Sequence, residues 1–283
     1  MGLISEAVPR LAVLVGLVGL AACSPAEQPQ RLDQSRRIIS LDYCADQYVL
    51  KLAPREQILA VSPDAEKTFS YMRGYAKGLR QIRPQAEDVL VLQPDLVVRS
   101  YGGGPNVTAF IERIGTPVLQ IDSAHDLDGV RNTIAAVAEG LGQQARGAAV
   151  IAEMDARLAA LHALPDAPAA LYTTPAGVTS GPGTLVHEML RAAGLANFEQ
   201  EPGWRSLPLE HLAREQPDLV AAVFWGATNH YDSWSAARHP IARRQLRERP
   251  VVSLHGAWIA CGGWFLLDAI EALATTGSGE TAQ

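Results

Sequence analysis

The chain has 283 residues, of which 48% are hydrophobic and 19% are charged, a globular composition with room for two domains of common size. The formal net charge is -6 and the isoelectric point is about 5.7, so no excess of basic side chains is available to neutralise phosphates. These values argue against a nucleic-acid partner.

The N-terminus carries an apolar segment over residues 11–20, too short to span a bilayer comfortably, which ends in the sequence LAAC. This sequence resembles a bacterial lipobox and implies a signal peptide over residues 1–22, cleavage before Cys23 and attachment of lipid to its thiol. An ordinary secretory signal with an incidental Cys23 is the alternative. Residues 23–36 are polar and contain proline, as in a flexible tether. We therefore expect a periplasmic protein, lipid-anchored to a bacterial membrane.

Short apolar runs alternate with helical patterns in the next part of the chain. The runs IISL, ILAVS, DLVVRS and PVLQID predict strands, and ADQYVLKLA, AEDVLVLQ and VTAFIERIG predict helices between them. Short strands that alternate with helices are typical of βαβ units and a mainly parallel sheet. These elements predict an N-terminal α/β lobe over residues 37–126.

The alternation stops over residues 127–164, where QQARGAAVIAEMDARLAALHAL has its apolar side chains on one helical face. We interpret this segment as a long helix that connects two lobes, and a core helix of one large domain is the alternative. The runs AALYTTPAG, DLVAAVFW and PVVSLHGAW then predict strands, and GGWFLLDAIEALA predicts the closing helix. The predicted fold is therefore α/β, with a C-terminal lobe over residues 165–274, a flexible tail over residues 275–283 and a ligand cleft between the lobes.

One phrase occurs twice, as EDVLVLQPDLVV and as EHLAREQPDLVAAV, with the same spacing from the leading glutamate to the proline. The leading residues are Glu87 and Glu210. Because helices of βαβ units run antiparallel to their strands, both glutamates should lie at the edge where the strands end. Duplication of one lobe architecture explains the repeat, and chance recurrence of a helix-proline-strand junction is the alternative. A first-turn glutamate that only stabilises its helix is the alternative for each carboxylate.

Several segments follow one another along the chain: the lipobox, RIISLDYCADQYVLKL, the first phrase, the central helix, SGPGTLVHEMLRAAGLAN and the second phrase. In this order the chain resembles the class III periplasmic substrate-binding proteins of iron-siderophore and cobalamin ABC importers. The resemblance covers nearly all of the chain after the tether. It implies a monomer with two α/β lobes bridged by one helix, which binds a bulky metal chelate for an ABC permease. It also implies that Glu87 and Glu210 dock onto arginine residues of that permease. A corrinoid and a ferric siderophore are the expected ligands, with haem as the alternative.

Ligands of open α/β sheets bind beyond the carboxyl ends of the strands, which selects loops in both predicted lobes. Tyrosine and tryptophan on these loops offer flat apolar faces with a polar edge, and glycines let the backbone approach a planar guest. The candidate ligand-binding residues are Asp42, Tyr43, Cys44, Tyr101, Gly102, Gly103, Trp204, Trp225, Trp258, Cys261 and Trp264. The alternative for each aromatic residue is that it packs a lobe core. The scarcity of clustered arginine favours a neutral corrinoid over an anionic catecholate, although Arg99 and Arg205 lie near the loops.

Cys44 and Cys261 fall on cleft loops, one in each predicted lobe, and a disulfide, separate thiols and metal ligation are all open. Metal ligation ranks last because no His or carboxylate cluster accompanies them in the sequence. We predict no metal site and no resident cofactor, although Tyr43 or Tyr101 could ligate the iron of a haem ligand. The sequence contains no phosphate-binding glycine motif, and GVTSG around Ser180 misses the nucleophile elbow by one position. We predict no catalytic residue, with a lipid-anchored hydrolase as the alternative from another class.

Overall fold

The structure is a computed structural model that describes Gly2 and residues 36–162, 166–224 and 236–277. The described residues from 36 onward belong to one compact unit. The predicted signal peptide, the lipidation site at Cys23 and the cleft residue Trp225 lie outside the described residues. No helix in the described ranges combines the length and the apolar character that crossing a bilayer requires.

The first sheet forms the core of an N-terminal lobe. Its strands are β1 (Ile38–Ser40), β2 (Ile58–Ala60), β3 (Leu96–Arg99) and β4 (Val118–Gln120). They are all parallel and lie in the order β2-β1-β3-β4. Ile38, Ile39 and Val97 are fully buried, because successive side chains of β1 and β3 point to opposite faces that are both covered.

Helices connect these strands, as the alternating pattern predicts. They are α1 (Tyr43–Leu52), α2 (Arg73–Ala76), α3 (Ala86–Leu92) and α4 (Gly104–Arg113). The helix α3 ends just before Gln93, which has the left-handed φ of 48°. Pro94 follows and cannot continue a helix, so the chain turns directly into β3.

Two helices follow the first sheet, α5 (Leu127–Gly140) and α6 (Gln144–Ala159). They pack closely on each other, since a Cβ on Gly147 of α6 would lie 2.4 Å from the Cβ of Ala138 in α5. The helix α6 is the one that the apolar periodicity predicts, and its residues Val150 and Met154 are buried. The segment that connects the sheets is thus a pair of helices, of which α6 leads into the second sheet.

The second sheet forms the core of a C-terminal lobe. Its strands are β5 (Ala169–Thr173), β7 (Ala196–Asn197), β9 (Leu219–Phe224) and β10 (Val251–His255), and a separate antiparallel pair consists of β6 (Val178–Ser180) and β8 (Trp204–Ser206). The helices of this lobe are α7 (Leu185–Ala192), α8 (Leu209–Arg214), α9 (Pro240–Glu248), α10 (Gly256–Ile259) and α11 (Leu266–Gly277). Residues 275–277 are helical and belong to α11, so the segment predicted as a flexible tail from residue 275 begins inside this helix.

The two four-stranded sheets have the same topology. The order in the second sheet is β10-β9-β5-β7, again with every pairing parallel. In both sheets the first strand along the chain lies between the second and the third, and the fourth strand pairs with the third. The prediction of two α/β lobes with parallel sheets is therefore confirmed, with the antiparallel pair β6-β8 as an addition to the second lobe.

The repeated Pro-Asp-Leu sequence makes the same contact in both lobes. The carboxylate of Asp95 accepts a 2.8 Å hydrogen bond from the backbone N–H of Arg37, and the N–H of Asp95 donates to the Arg37 carbonyl. The carboxylate of Asp218 accepts a 2.7 Å bond from the N–H of Ala169, and the N–H of Asp218 donates to the Ala169 carbonyl. Each aspartate therefore joins the start of the third strand of its lobe to the start of the first. We name this contact the aspartate joint.

Candidate ligand-binding site

A cavity of about 510 Å³ lies between the two lobes, a volume within the range of about 300–1,000 Å³ that is typical of ligand pockets. The N-lobe contributes the start of α1, the loop after β3 and residues 120–125 after β4. The C-lobe contributes residues 184–186 at the start of α7, residues 259–262 after α10, and Trp204. Most of these segments follow the carboxyl ends of parallel strands, where the rule for open α/β sheets places a ligand.

The buried carboxylate of Asp42 connects two segments on the N-lobe side of the cavity, the start of α1 and the loop after β3. It caps α1 by accepting from the N–H of Ala45 at 2.9 Å, and it accepts from Ser100, Tyr101 and Gly102 N–H groups at 2.7, 3.1 and 2.9 Å. The hydroxyl of Ser100 donates a further bond at 3.0 Å. Asp42 is only 3% exposed, so its oxygens are used within the protein. Asp42 thus positions the Tyr101 loop and does not itself line the cavity, so its predicted contact with ligand stays a prediction.

Two tyrosines stand next to each other at this edge. The rings of Tyr43 and Tyr101 lie 5.9 Å apart, and Phe69 contacts the other side of Tyr43 at 5.1 Å. Burial, with the nearby Asp42 carboxylate as a further cause, raises the pKa of both phenols. Both side chains are therefore neutral hydrogen-bonding groups near neutral pH. Tyr101 is 54% exposed and lines the cavity, whereas Tyr43 supports its ring and donates its hydroxyl to the Ala260 carbonyl.

Cys44 and Cys261 form a disulfide, with a Cα–Cα distance of 5.6 Å across a sequence separation of 217 residues. Cys44 belongs to the first turn of α1, and Cys261 lies just after α10. Both residues line the cavity, so the bond connects the two lobes in the cavity wall. Of the three possibilities that the sequence leaves open, the structure contains the disulfide.

Trp204 provides an aromatic side chain on the C-lobe side. It is 58% exposed on the strand β8, and its ring lies 6.0 Å from the ring of the buried Tyr172. The neighbouring Arg205 is oriented toward carboxylates, with its guanidinium 3.9 Å from Glu199 and 3.6 Å from Glu201. The Trp204 ring thus lines the cavity, while the guanidinium of Arg205 lies beside carboxylates.

Several of the predicted ligand contacts do not line this cavity. A Cβ on Gly102 would lie 2.5 Å from the Leu41 carbonyl oxygen, so this glycine permits packing of the loop onto β1. Gly103 has a φ of 77° and turns the chain into α4. Trp264 is 6% exposed and packs 5.6 Å from Tyr48, and Trp258 packs 6.1 Å from His255. Trp264 therefore packs where the two lobes meet, and the partly buried Trp258 packs against the same apolar core, which is the alternative considered for each aromatic residue.

Two segments that line the cavity are absent from the sequence prediction. The residues after β4 place the exposed side chains of Asp122 and His125 at the cavity, and Thr184 and Leu185 lie at the start of α7. The first segment lies at the end of the apolar run PVLQID. The strand-end rule would therefore have predicted this segment if it had been applied to that run. The second segment follows no strand of the main sheet, and its place depends on how α7 packs.

The two glutamates of the repeated phrase occupy equivalent positions. Glu87 is in the first turn of α3, Glu210 is in the first turn of α8, and both side chains are exposed. Each helix is followed by the proline and then by the third strand of its lobe. Within the described ranges, no group of three or more His, Cys, Asp and Glu side chains is arranged to hold a metal ion.

Two α/β lobes with parallel sheets of the same topology thus enclose one cavity between them. The sequence matches the periplasmic binding protein family over residues 38–245, and the chain belongs to this family.

The relatives include two proteins from Halobacterium salinarum, in strains R1 and NRC-1, each called a cobalamin-binding protein. Each is 28% identical to this chain over 197 residues, which is 66% of this chain and 53% of the relative. The chain thus spans about half the length of the curated relatives it matches.

Solved structures of similar fold include the apo form of the periplasmic heme-binding protein RhuT from Roseiflexus sp. RS-1, with a TM-score of 0.66, 24% identity and coverage of 86% of this chain and 99% of that one. The heme-binding protein BhuT, in complex with two hemes, has a TM-score of 0.66, 25% identity and coverage of 87% and 99%. The vitamin B12 binding protein BtuF of Vibrio cholerae has a TM-score of 0.61, 20% identity and coverage of 88% and 98%. These similarities establish the two-lobed fold.

Proposed function

We propose that this protein is a lipid-anchored extracytoplasmic binding protein that captures a corrinoid, without catalysis, and delivers it to an ABC importer. The lipid would be carried by Cys23, and the folded lobes would follow the polar tether of residues 23–36. The cobalamin-binding relatives support the ligand class, because they match this chain over most of its folded part. Ferric siderophores and haem are the competing ligands.

The charge of the cavity is the observation that carries the choice of ligand. Among the described residues that line the cavity, none is lysine or arginine, and one carboxylate, Asp122, and one imidazole, His125, are present beside the tyrosines. Arg99 lies nearby, but its guanidinium donates to the Gly102 carbonyl at 2.8 Å and to Gln120 at 2.9 Å. Ferric tricatecholates and haem propionates are anionic and would be buried here without a counter-ion, at a high cost in desolvation. A corrinoid with neutral amide side chains avoids this cost.

Haem is the second candidate, because Tyr101 and His125 are both exposed side chains at the cavity and both are groups that can ligate iron. A tyrosinate ligand would have to form against the raised pKa of Tyr101. This proton must leave before the phenol oxygen can bind ferric iron as an anion. The tyrosine pair therefore favours hydrogen bonding to amide or hydroxyl groups of a ligand.

A ligand panel tests the proposed class. Protein lacking residues 1–23 would be titrated with cyanocobalamin, a neutral ferric hydroxamate, an anionic ferric tricatecholate and haemin, with tryptophan fluorescence and calorimetry as readouts. We expect cyanocobalamin to bind most tightly and to be recovered unchanged. Trp204→Ala should weaken its binding, whereas Trp258→Ala, at a tryptophan that does not line the cavity, should not. Tightest binding of haemin or of the tricatecholate, or turnover of any ligand, would contradict the proposal.

We also propose that Glu87 and Glu210 dock the protein onto basic side chains of the permease. Their exposure and their equivalent helix positions support this role. The double variant Glu87→Ala, Glu210→Ala should keep its ligand affinity and lose transport in cells. The matched control removes two exposed glutamates from the connecting helices, as Glu139→Ala, Glu153→Ala, and should transport normally. Normal transport by the first variant would exclude the docking role.

A further inference from the structure

The disulfide between Cys44 and Cys261 occupies an unusual place for a structural cross-link, since it lies in the wall of the cavity. It joins the first turn of α1 in the N-lobe to the segment after α10 in the C-lobe. Cys261 is 9% exposed and Cys44 is partly exposed, and both line the cavity. A ligand bound between the lobes would therefore lie on this bond.

Two hydrogen bonds accompany the disulfide and connect the same two segments. The hydroxyl of Tyr43 donates to the Ala260 carbonyl at 3.3 Å, and the hydroxyl of Tyr48 donates to the Gly262 carbonyl at 2.6 Å. Three links thus join one face of α1 to three consecutive residues of the C-lobe wall. Of the three links, only the disulfide is covalent. It therefore constrains the distance between α1 and residues 260–262 more strongly than either hydrogen bond does.

The tyrosine pair extends this connection to the rest of the N-lobe side. The ring of Tyr43 packs against Tyr101, which stands on the loop held by the Asp42 carboxylate. A shift of α1 relative to residues 260–262 would therefore move Tyr101 as well as the C-lobe wall. Packed interiors transmit such shifts because they contain little free space.

We propose that the Cys44–Cys261 bond is a positioning element of the ligand site, which makes ligand affinity depend on the redox state of the two cysteines. This inference rests on the proposed binding function. A dithiol reductant would donate two electrons and two protons, become a disulfide itself and leave two protein thiols. The covalent link in the cavity wall would then be lost, leaving the two tyrosine hydrogen bonds and the apolar packing between the lobes, and the oxidised protein is the form that binds ligand tightly.

Thermodynamic linkage predicts a second effect that can be measured separately. If the disulfide raises ligand affinity by some factor, then bound ligand must favour the disulfide over the dithiol by the same factor. Bound ligand would also cover the sulfurs that a reductant has to reach. The ligand-bound protein should therefore resist reduction, whereas the free protein should be reduced more readily.

The test compares ligand affinity in four proteins, with the tightest-binding member of the ligand panel as the probe. These are the oxidised protein, the protein reduced with dithiothreitol, the variant Cys44→Ser, Cys261→Ser, and the control Tyr71→Phe. Tyr71 also connects the lobes, through a 2.9 Å hydrogen bond to Asp268 on α11, but it does not line the cavity. We expect about tenfold weaker binding in the reduced and serine forms, full recovery on reoxidation, and unchanged binding in Tyr71→Phe.

Equal affinity of the oxidised and reduced forms would overturn the proposal, and so would an equal loss in Tyr71→Phe. An equal degree of reduction at equilibrium in a thiol–disulfide buffer, with and without the probe, would also overturn it. If no panel member binds the oxidised protein, the proposed function fails, and hydrogen exchange still tests the positioning role. Faster exchange in residues 43–48 and 259–262 of the serine variant would support that role, and unchanged exchange there would exclude it.

Discussion

A single buried carboxylate organises the N-lobe side of the cavity. Asp42 receives hydrogen bonds from the start of α1 and from three consecutive N–H groups in the loop after β3. In its absence these donors would be buried without an acceptor, which costs about 1–3 kcal/mol for each unsatisfied group that water cannot reach. The residue therefore affects ligand binding through the loop that carries Tyr101.

Asp42→Ala should lower the free energy of unfolding by roughly 2–4 kcal/mol and weaken ligand binding, because the Tyr101 loop loses its acceptor. Urea denaturation and ligand titration measure the two effects. The control Asp122→Ala removes an exposed carboxylate from the same cavity and should leave the unfolding free energy unchanged. A stable Asp42→Ala protein with normal ligand affinity would show that the loop is held by other contacts.

Asp46 is a buried carboxyl group in α1, two residues after Cys44. It is fully buried and accepts from the N–H and the hydroxyl of Ser62 at 3.1 and 2.6 Å. Burial raises its pKa from 3.8 to about 7, and the hydrogen bonds from Ser62 oppose this shift without cancelling it. The folded protein therefore binds this proton more tightly than the unfolded chain does.

The stabilising effect of this proton is complete below about pH 4 and is lost as the pH rises through about 7. Asp46→Asn cannot ionise, so it should remove this contribution to the pH dependence. We expect the unfolding free energy of the wild type to fall between about pH 5 and about pH 8 by more than that of the variant. Urea denaturation at several pH values measures the difference, and parallel curves for the two proteins would contradict the assignment.

At the level of single residues, the sequence predicts where the cleft loops lie better than it predicts which side chains face the ligand. The strand-end rule finds Cys44, Tyr101 and Cys261, which line the cavity. It also selects Asp42 and Gly102, which lie on the same loops but point into the protein. Side-chain direction in a loop depends on hydrogen bonds to a neighbouring loop, and composition or spacing cannot reveal these.

Among the secondary-structure elements, the parallel strands are the most predictable. The runs IISL, ILAVS, DLVVRS and PVLQID contain the strands β1 to β4. Strands that are covered on both faces consist mainly of apolar residues, so they can be recognised in the sequence as short apolar runs. The pair β6-β8 was not predicted. Its strand β8 is exposed and therefore has no apolar pattern, and its partner lies more than twenty residues earlier in the chain.

Arg157 connects the helix α6 to the helix α11. Its guanidinium contacts both carboxylate oxygens of Glu271 at 2.7 Å and one oxygen of Asp268 at 2.7 Å. Paired contacts of this kind are stronger than single surface ion pairs, because the planar group fits the carboxylate with two bonds. The contact thus fixes the connecting helix against the last helix of the C-lobe.

Arg157→Ala should lower the free energy of unfolding by about 1–2 kcal/mol, whereas Arg131→Ala should cost less. Arg131 is a matched control, because its side chain is also 28% exposed and also contacts two carboxylates, those of Asp128 and Asp155. Its partners are 86% and 49% exposed, so water screens these pairs more strongly. Urea denaturation compares the two variants, and a larger loss in Arg131→Ala would contradict this ranking.

For the molecule as a whole, the two lobes share one continuous core. A single cluster of buried apolar side chains includes Ile38 and Tyr48 from the N-lobe, Met154 from α6, and Leu219 and Phe265 from the C-lobe. The disulfide adds a covalent link between the same two lobes. The sequence places both cysteines on cleft loops, but their pairing depends on how the lobes pack, and the distance between their Cα atoms cannot be read from the chain.

Cys44→Ser, Cys261→Ser should lower the free energy of unfolding by roughly 3–5 kcal/mol, because the disulfide closes a very long loop and restricts the unfolded chain. Urea denaturation with and without dithiothreitol measures this loss. The wild type should become less stable when reduced, and the variant should not respond to the reductant. An equally stable variant would mean that the unfolded chain is not restricted by the bond.

The aspartate joint gives this chain an internal comparison that few proteins offer. Asp95 and Asp218 make the same pair of hydrogen bonds, each with the first strand of its own lobe, and both side chains are exposed. Asn in place of either aspartate keeps the shape and removes the charge. A difference in unfolding free energy between the two single replacements would therefore report the surroundings of each aspartate and not the bond itself. The two lobes of one molecule thus show how context changes the strength of an identical interaction.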